Sequence, residues 1–145
     1  MKPASLTRRS LLTLAPGLLA AGGPAHAAES VRLRDLWGER GSFSPMAEKL
    51  AGASVEMRGY MAPPLKPEID FFVLTRIPMA VCPFCDTEAN WPDDLVLVRT
   101  SGALRAVDFS DLISVRGRLE LGTATDAQTG FVSRLRLVQA DFRRV

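Results

Sequence analysis

Histidine is almost missing from this 145-residue chain, which has one, His26. Cysteine is scarce, with two, and tyrosine occurs once. Aromatic residues are 7% of the total, too few for the stacking platform of a single-strand nucleic-acid binder. The chain also lacks a long hydrophobic run. Its most apolar stretch, residues 11–21, is broken by Pro16 and Gly17 and falls short of the roughly 20 residues a spanning helix needs. No internal repeat and no second apolar span is present.

What stands at the start of the chain looks like an export leader. Thr7-Arg8-Arg9-Ser10-Leu11-Leu12 puts two arginines directly before the apolar run, and Ala25-His26-Ala27 supplies small residues on both sides of one position. A cleaved signal peptide over residues 1–27 is expected, with paired arginines that resemble a twin-arginine leader. Thr13 replaces the lysine of that pattern, so a general secretory leader is the alternative. Cleavage removes His26, and with it any Ser-His-Asp or Cys-His arrangement. It also removes Lys2, Arg8 and Arg9, leaving 15 of the 18 basic residues against 16 acidic ones, a net charge of −1. That balance argues against a nucleic-acid partner. The expected location is the periplasm or the exterior, with no stable membrane span after cleavage.

Residues 28–145 are enough for one domain with one core. Residues 28–43 read as an arm, in which Val31-Arg32-Leu33-Arg34 alternates as a short edge strand and Leu36-Trp37 packs on the domain. Ser44-Pro45 opens a short helix, with Ser44 as N-cap, Pro45 in the first turn and Met46, Ala47 and Leu50 as its apolar face. Gly52 ends it. From there the pattern turns to strands. Val55, Met57, Gly59 and Met61 alternate with polar neighbours, and residues 69–77 are apolar enough to be covered on both faces. Residues 95–98 make a third strand and residues 113–121 a fourth, the most regular of all. Residues 131–142 make a fifth, whose alternation changes phase near Val138 and predicts a bulge there. Residues 44–145 are therefore expected to form a small, mainly β, five-stranded antiparallel OB-like barrel with one short helix. A small β-sandwich is the alternative. A thioredoxin fold fits poorly, because Pro92 interrupts any helix that would follow the cysteines.

The two cysteines stand together in Cys82-Pro83-Phe84-Cys85, the chain's one distinctive chemical handle. Four readings are open. The pair can close a local disulfide, worth about 2 kcal/mol in the loop-closure picture. It can place two thiolates on one metal, with Asp86 and Glu88 as further oxygen ligands or a second copy of the motif from a homodimer. It can exchange disulfides, although the acidic neighbours Asp86, Glu88, Asp93 and Asp94 oppose the low thiol pKa this needs, and Arg76 is the nearest cation. The fourth reading is a pair of reduced structural thiols. Trp91, Asp93, Asp94 and Tyr60 are candidates for a small pocket beside this loop. Arg116, Arg118, Arg134 and Arg136 share one face of the last two strands, where Glu120 and Asp141 make an ion-paired solvent face. Asp108 and Asp111 read as turn residues around Phe109-Ser110. Glycosidase-type work by paired carboxylates stays open, since it depends on a separation in space.

The segment Val55-Glu56-Met57-Arg58-Gly59-Tyr60-Met61-Ala62-Pro63-Pro64, with Phe71-Phe72-Val73-Leu74 and Cys82-Pro83-Phe84-Cys85, resembles a group of uncharacterised secreted bacterial proteins with an OB-like domain. Val115-Arg116-Gly117-Arg118-Leu119-Glu120-Leu121-Gly122, Asp126 and Thr129-Gly130 are similar as well. Some members of that group carry histidine where this chain has its cysteines. The resemblance implies a non-catalytic module accompanying an envelope protein or transport component, with zinc as the cofactor. It implies no enzyme activity.

Overall fold

The computed structural model describes residues 28–64, 66, 68–80 and 94–145. The expected leader, residues 1–27, lies outside the described residues, as do Cys82, Cys85, Asp86, Glu88, Trp91 and Asp93. No helix among the described residues is long and apolar enough to cross a membrane.

Among the described residues six strands form one mixed sheet: β1 (Glu29–Val31), β2 (Ser54–Met61), β3 (Phe71–Thr75), β4 (Val96–Thr100), β5 (Leu112–Thr125) and β6 (Val132–Arg144). The one α-helix among the described residues, α1 (Pro45–Leu50), precedes β2. The Ser44 hydroxyl accepts from the Ala47 amide at 3.1 Å, as an N-cap should. Ala47 and Leu50 are buried but Met46 is exposed, so the apolar face is narrower than expected.

β2, β3 and β4 run as an antiparallel meander, and β5 then returns to pair with β2 over seven residues from Ser54 to Tyr60. That return is a Greek-key connection. β6 lies between β5 and β4, and the pairings β2-β3-β4-β6-β5-β2 form a closed circuit. The expectation of five strands, all antiparallel, is corrected on two counts. β1 adds a sixth strand, parallel to β2, and β6 runs parallel to β4. The second is forced by parity: a closed circuit of five strands cannot alternate direction at every step.

The expected bulge in the last strand is present. Arg116 pairs with Asp141 but Arg118 with Val138, so Gly117 faces two residues, Gln139 and Ala140. Gln139 takes φ 51°, and burial passes from Ser133, Leu135 and Leu137 to Ala140 across it. β3 is buried at all five positions, as its apolar run requires, but it stops at Thr75 and leaves Ile77 exposed.

The two faces of β3 and β4 serve different clusters. Phe72, Leu74, Val96 and Val98 join Val55, Met57, Ile113, Val115, Leu119, Leu135 and Leu137 inside the circuit. Leu33, Leu36, Ala47 and Leu50 cover that cluster from the arm and α1. On the outer face Phe71, Val73 and Leu97 pack with Ala62, Ile69 and Phe131. Each large side chain so buried contributes about 1.5–3 kcal/mol. The circuit is thereby a firm frame for the connections that leave it.

Candidate functional site

The connection that carries Cys82 and Cys85 leaves the sheet at the end of β3 and re-enters at β4. Its two ends are tied together. Arg76 Nε donates to Asp94 Oδ2 at 2.9 Å, just outside the strands. One residue earlier, the buried Thr75 hydroxyl reaches the carbonyls of Tyr60 at 3.2 Å and Ile77 at 2.8 Å. These contacts hold the chain as it leaves β3.

Of the cysteine, oxygen-ligand and pocket candidates around this loop, Tyr60 and Asp94 are described. Tyr60 is half-buried and pairs with Thr75, so both stand at the loop's end of β3. Asp94 is held by Arg76 and is thereby committed as an ion-pair partner. Arg76, the nearest cation to the cysteines in sequence, is committed in the same contact. Among the described residues no group of three or more metal-ligating side chains comes together.

The shared arginine face of the last two strands is only partly ion-paired. Arg118 and Arg136 both approach Glu120, at 3.1 and 3.6 Å. Arg134 leaves that set. Its guanidinium lies over Trp37 and Phe43, 5.6 and 5.3 Å from the ring centres, and donates to the Gly41 carbonyl at 2.6 Å. The two rings are themselves 5.6 Å apart. The cation thus joins the arm to β6, a contact worth about 0.5–2 kcal/mol. The Trp37 Nε1 hydrogen finds no acceptor among the described residues. Asp108 and Asp111 are turn residues, as expected. Asp108 accepts from the Ser110 amide and hydroxyl, and Asp111 receives Arg144 at 2.9 Å.

A second polar centre escaped the sequence reading. Arg99 on β4 donates from Nη1 to both oxygens of Asp70 at 2.6 Å and from Nη2 to Asp126 Oδ2 at 2.8 Å. Its guanidinium also lies 5.5 Å from the Phe71 ring centre. Asp126 accepts in addition from the amides of Gln128 and Thr129 and from the Thr129 hydroxyl. Burial alone would raise the Asp126 carboxyl, but the bonds from Arg99, Thr129 and Gln128 together hold it below the ordinary carboxylate value. Burial works against the Arg99 charge too, and the two aspartates outweigh it. The centre bolts the start of β3, the middle of β4 and the β5–β6 connection into one unit. The available signal was Asp126 with Thr129 three residues on, an Asx-turn spacing inside a polar loop.

No family model matches this chain, and no curated protein matches it. Among solved structures, the crystal structure of a DUF3299 family protein from Pseudomonas aeruginosa PAO1 is similar, with a TM-score of 0.53 at 14% identity. The match covers 82% of this chain and 97% of that one. At that identity the likeness shows a shared fold. The fold is therefore one that also occurs in a bacterial family of unknown function.

Proposed function

We propose that this protein is an exported, non-catalytic binding or accessory module built on an OB-like barrel, with Cys82 and Cys85 as a zinc-binding thiolate pair. The barrel reading is supported by the closed five-strand circuit with its Greek-key return, which is the economy of an OB-like fold. The carrying observation is the Arg76–Asp94 bridge across the base of the cysteine-bearing connection. A functional loop works when a rigid frame presents it, and here both of its ends are pinned. The bridge also weighs between chemistries. A low-pKa thiolate wants a free cation beside it, and Arg76 is engaged with Asp94. Zinc needs no such cation, because the metal itself stabilises the thiolate. Asp94 is engaged as well, so the oxygen ligands in this reading are Asp86 and Glu88, or the thiolates of a second copy. An envelope protein or transport component is the proposed partner, and the periplasm the proposed location.

Zinc content after purification under reducing conditions tests the reading. The wild type is expected to hold stoichiometric metal and Cys82→Ser to lose most of it. Equal metal in both would reject zinc binding by this pair.

A further inference from the structure

Along one edge of β2, Met57 pairs with Val31 of β1 and Tyr60 pairs with Thr75 of β3. Arg58 and Gly59 between them have no strand partner on that side, while their other side is paired to Ser114 and Ile113 of β5. The sheet therefore has a gap where one neighbour of β2 ends and the next begins. A cleft of about 390 Å³ opens at this gap.

Four arginines line it. Arg32 and Arg34 come from the turn after β1, Arg58 from the middle of β2 and Arg76 from the end of β3. Two carboxylates answer them. Asp35 approaches Arg32 and Arg34 at 3.8 and 3.7 Å, and Asp94 receives Arg76 at 2.9 Å. Among the described residues, four guanidinium groups thus face two carboxylates within 4 Å. Arg58 is exposed and has no carboxylate within 4 Å among the described residues. Glu56, two positions earlier on the same strand face, attracts the Arg58 charge from beyond 4 Å, but it also accepts from the Ser114 hydroxyl and is shared with Arg143 at 3.5 Å. Four guanidinium groups at one cleft repel one another, and among the described residues Asp35, Asp94 and the shared Glu56 offset only part of that repulsion.

We propose that this cleft binds a phosphomonoester. A terminal phosphate carries close to two negative charges near neutral pH, which suits a cleft where four arginines meet two close carboxylates, and its three oxygens suit several guanidinium forks at once. A carboxylate would neutralise one charge and leave the other. The size falls in the range of small-ligand clefts, about 300–1,000 Å³. The proposed phosphate ligands are arginines and the proposed zinc ligands are thiolates, so phosphate titration and zinc content test the two readings separately. The phosphate can belong to a soluble ester or to the headgroup of a phosphatidic acid membrane, since both present the same group.

The test uses the purified protein in calorimetric titration with glycerol 1-phosphate, and in sedimentation with phosphatidylcholine vesicles with and without phosphatidic acid. Saturable binding is expected in at least one arm, weakened about tenfold in Arg58→Gln, which corresponds to about 1.4 kcal/mol. Arg105→Gln, an exposed arginine of another surface, is expected to bind as the wild type does. Binding of the soluble ester identifies a dissolved ligand. Binding of phosphatidic acid vesicles alone identifies a membrane. Arg58 is exposed and its loss relieves repulsion, so the melting temperature is expected to hold or rise slightly; if that variant does not fold, Arg34→Gln takes its place. No saturable binding in either arm, or equal binding by wild type and variant, overturns the proposal.

Discussion

Gly117 on β5 faces Ala140 across the bulge of β6, so closely that a Cβ on Gly117 would stand 2.9 Å from the Cβ of Ala140. The Val138 carbonyl, at 3.1 Å, closes the same space from the backbone side. Gly117→Ala is expected to lower stability by about 1–3 kcal/mol, the usual cost of overpacking. Urea unfolding checks it, with Gly102→Ala, which has open space around it, as the near-neutral control. Equal midpoints for wild type and Gly117→Ala would refute the contact.

Gly59 is tighter still. A Cβ there would meet the Thr75 carbonyl oxygen at 2.5 Å, and that oxygen belongs to backbone with little freedom to retreat. Gly59→Ala should therefore cost more than Gly117→Ala and loosen the end of β3. Faster amide exchange at Thr75 than at Phe72 is the expected signature.

Asp126 should contribute to the acid limb of stability. Its folded carboxyl titrates below the ordinary value, so its contribution is present above about pH 4, where the unfolded group is ionised, and is lost as pH falls through the folded value. The side chain is only 7% exposed, and Asp126→Asn removes the charge that binds Arg99. A loss of about 2 kcal/mol is expected near neutral pH, with the gap to wild type narrowing at about pH 3. A gap that does not change with pH would contradict this account.

Ser44 has two roles at the start of α1. Its oxygen accepts from the Ala47 amide and its hydroxyl donates to the Asp35 carbonyl at 2.6 Å. Ser44→Ala is expected to cost about 1 kcal/mol, whereas Ser44→Asp should keep the cap but not the second bond. Thermal unfolding of the three proteins would order them wild type, Asp, Ala.

The Arg76–Asp94 bridge is partly exposed, at 57% and 17% for the two side chains, so its energy should be small. A double-mutant cycle with Arg76→Ala and Asp94→Ala is expected to give a coupling of about 0.5 kcal/mol that shrinks at about 1 M salt. Its larger effect should be on the loop. Limited proteolysis between β3 and β4 is expected to quicken in either single variant.

Local chemistry by itself determined the parts of this fold that depend on neighbours in the chain. The Ser44 cap, the alternation of β2, the doubly covered run of β3 and the bulge past Val138 were all legible, because each is written as a period or a break in a period. Tertiary structure alone decided the rest. The parallel pairing of β4 with β6 comes from the parity of a closed circuit, which no single strand encodes. The alternation of Val31 to Arg34 pointed to a strand there, but the strand is Glu29–Val31 and Leu33–Leu36 is a 3-10 turn, because pairing with β2 and burial of Leu33 and Leu36 decided the arm. The partners of the arginines were equally hidden. Arg134 and Arg136 are two residues apart on one strand face, yet one lies on Trp37 and Phe43 while the other turns to Glu120. A guanidinium on a long, flexible stem takes whichever acceptor or ring the folded surface brings within reach, and that surface exists only once residues far apart in sequence have met.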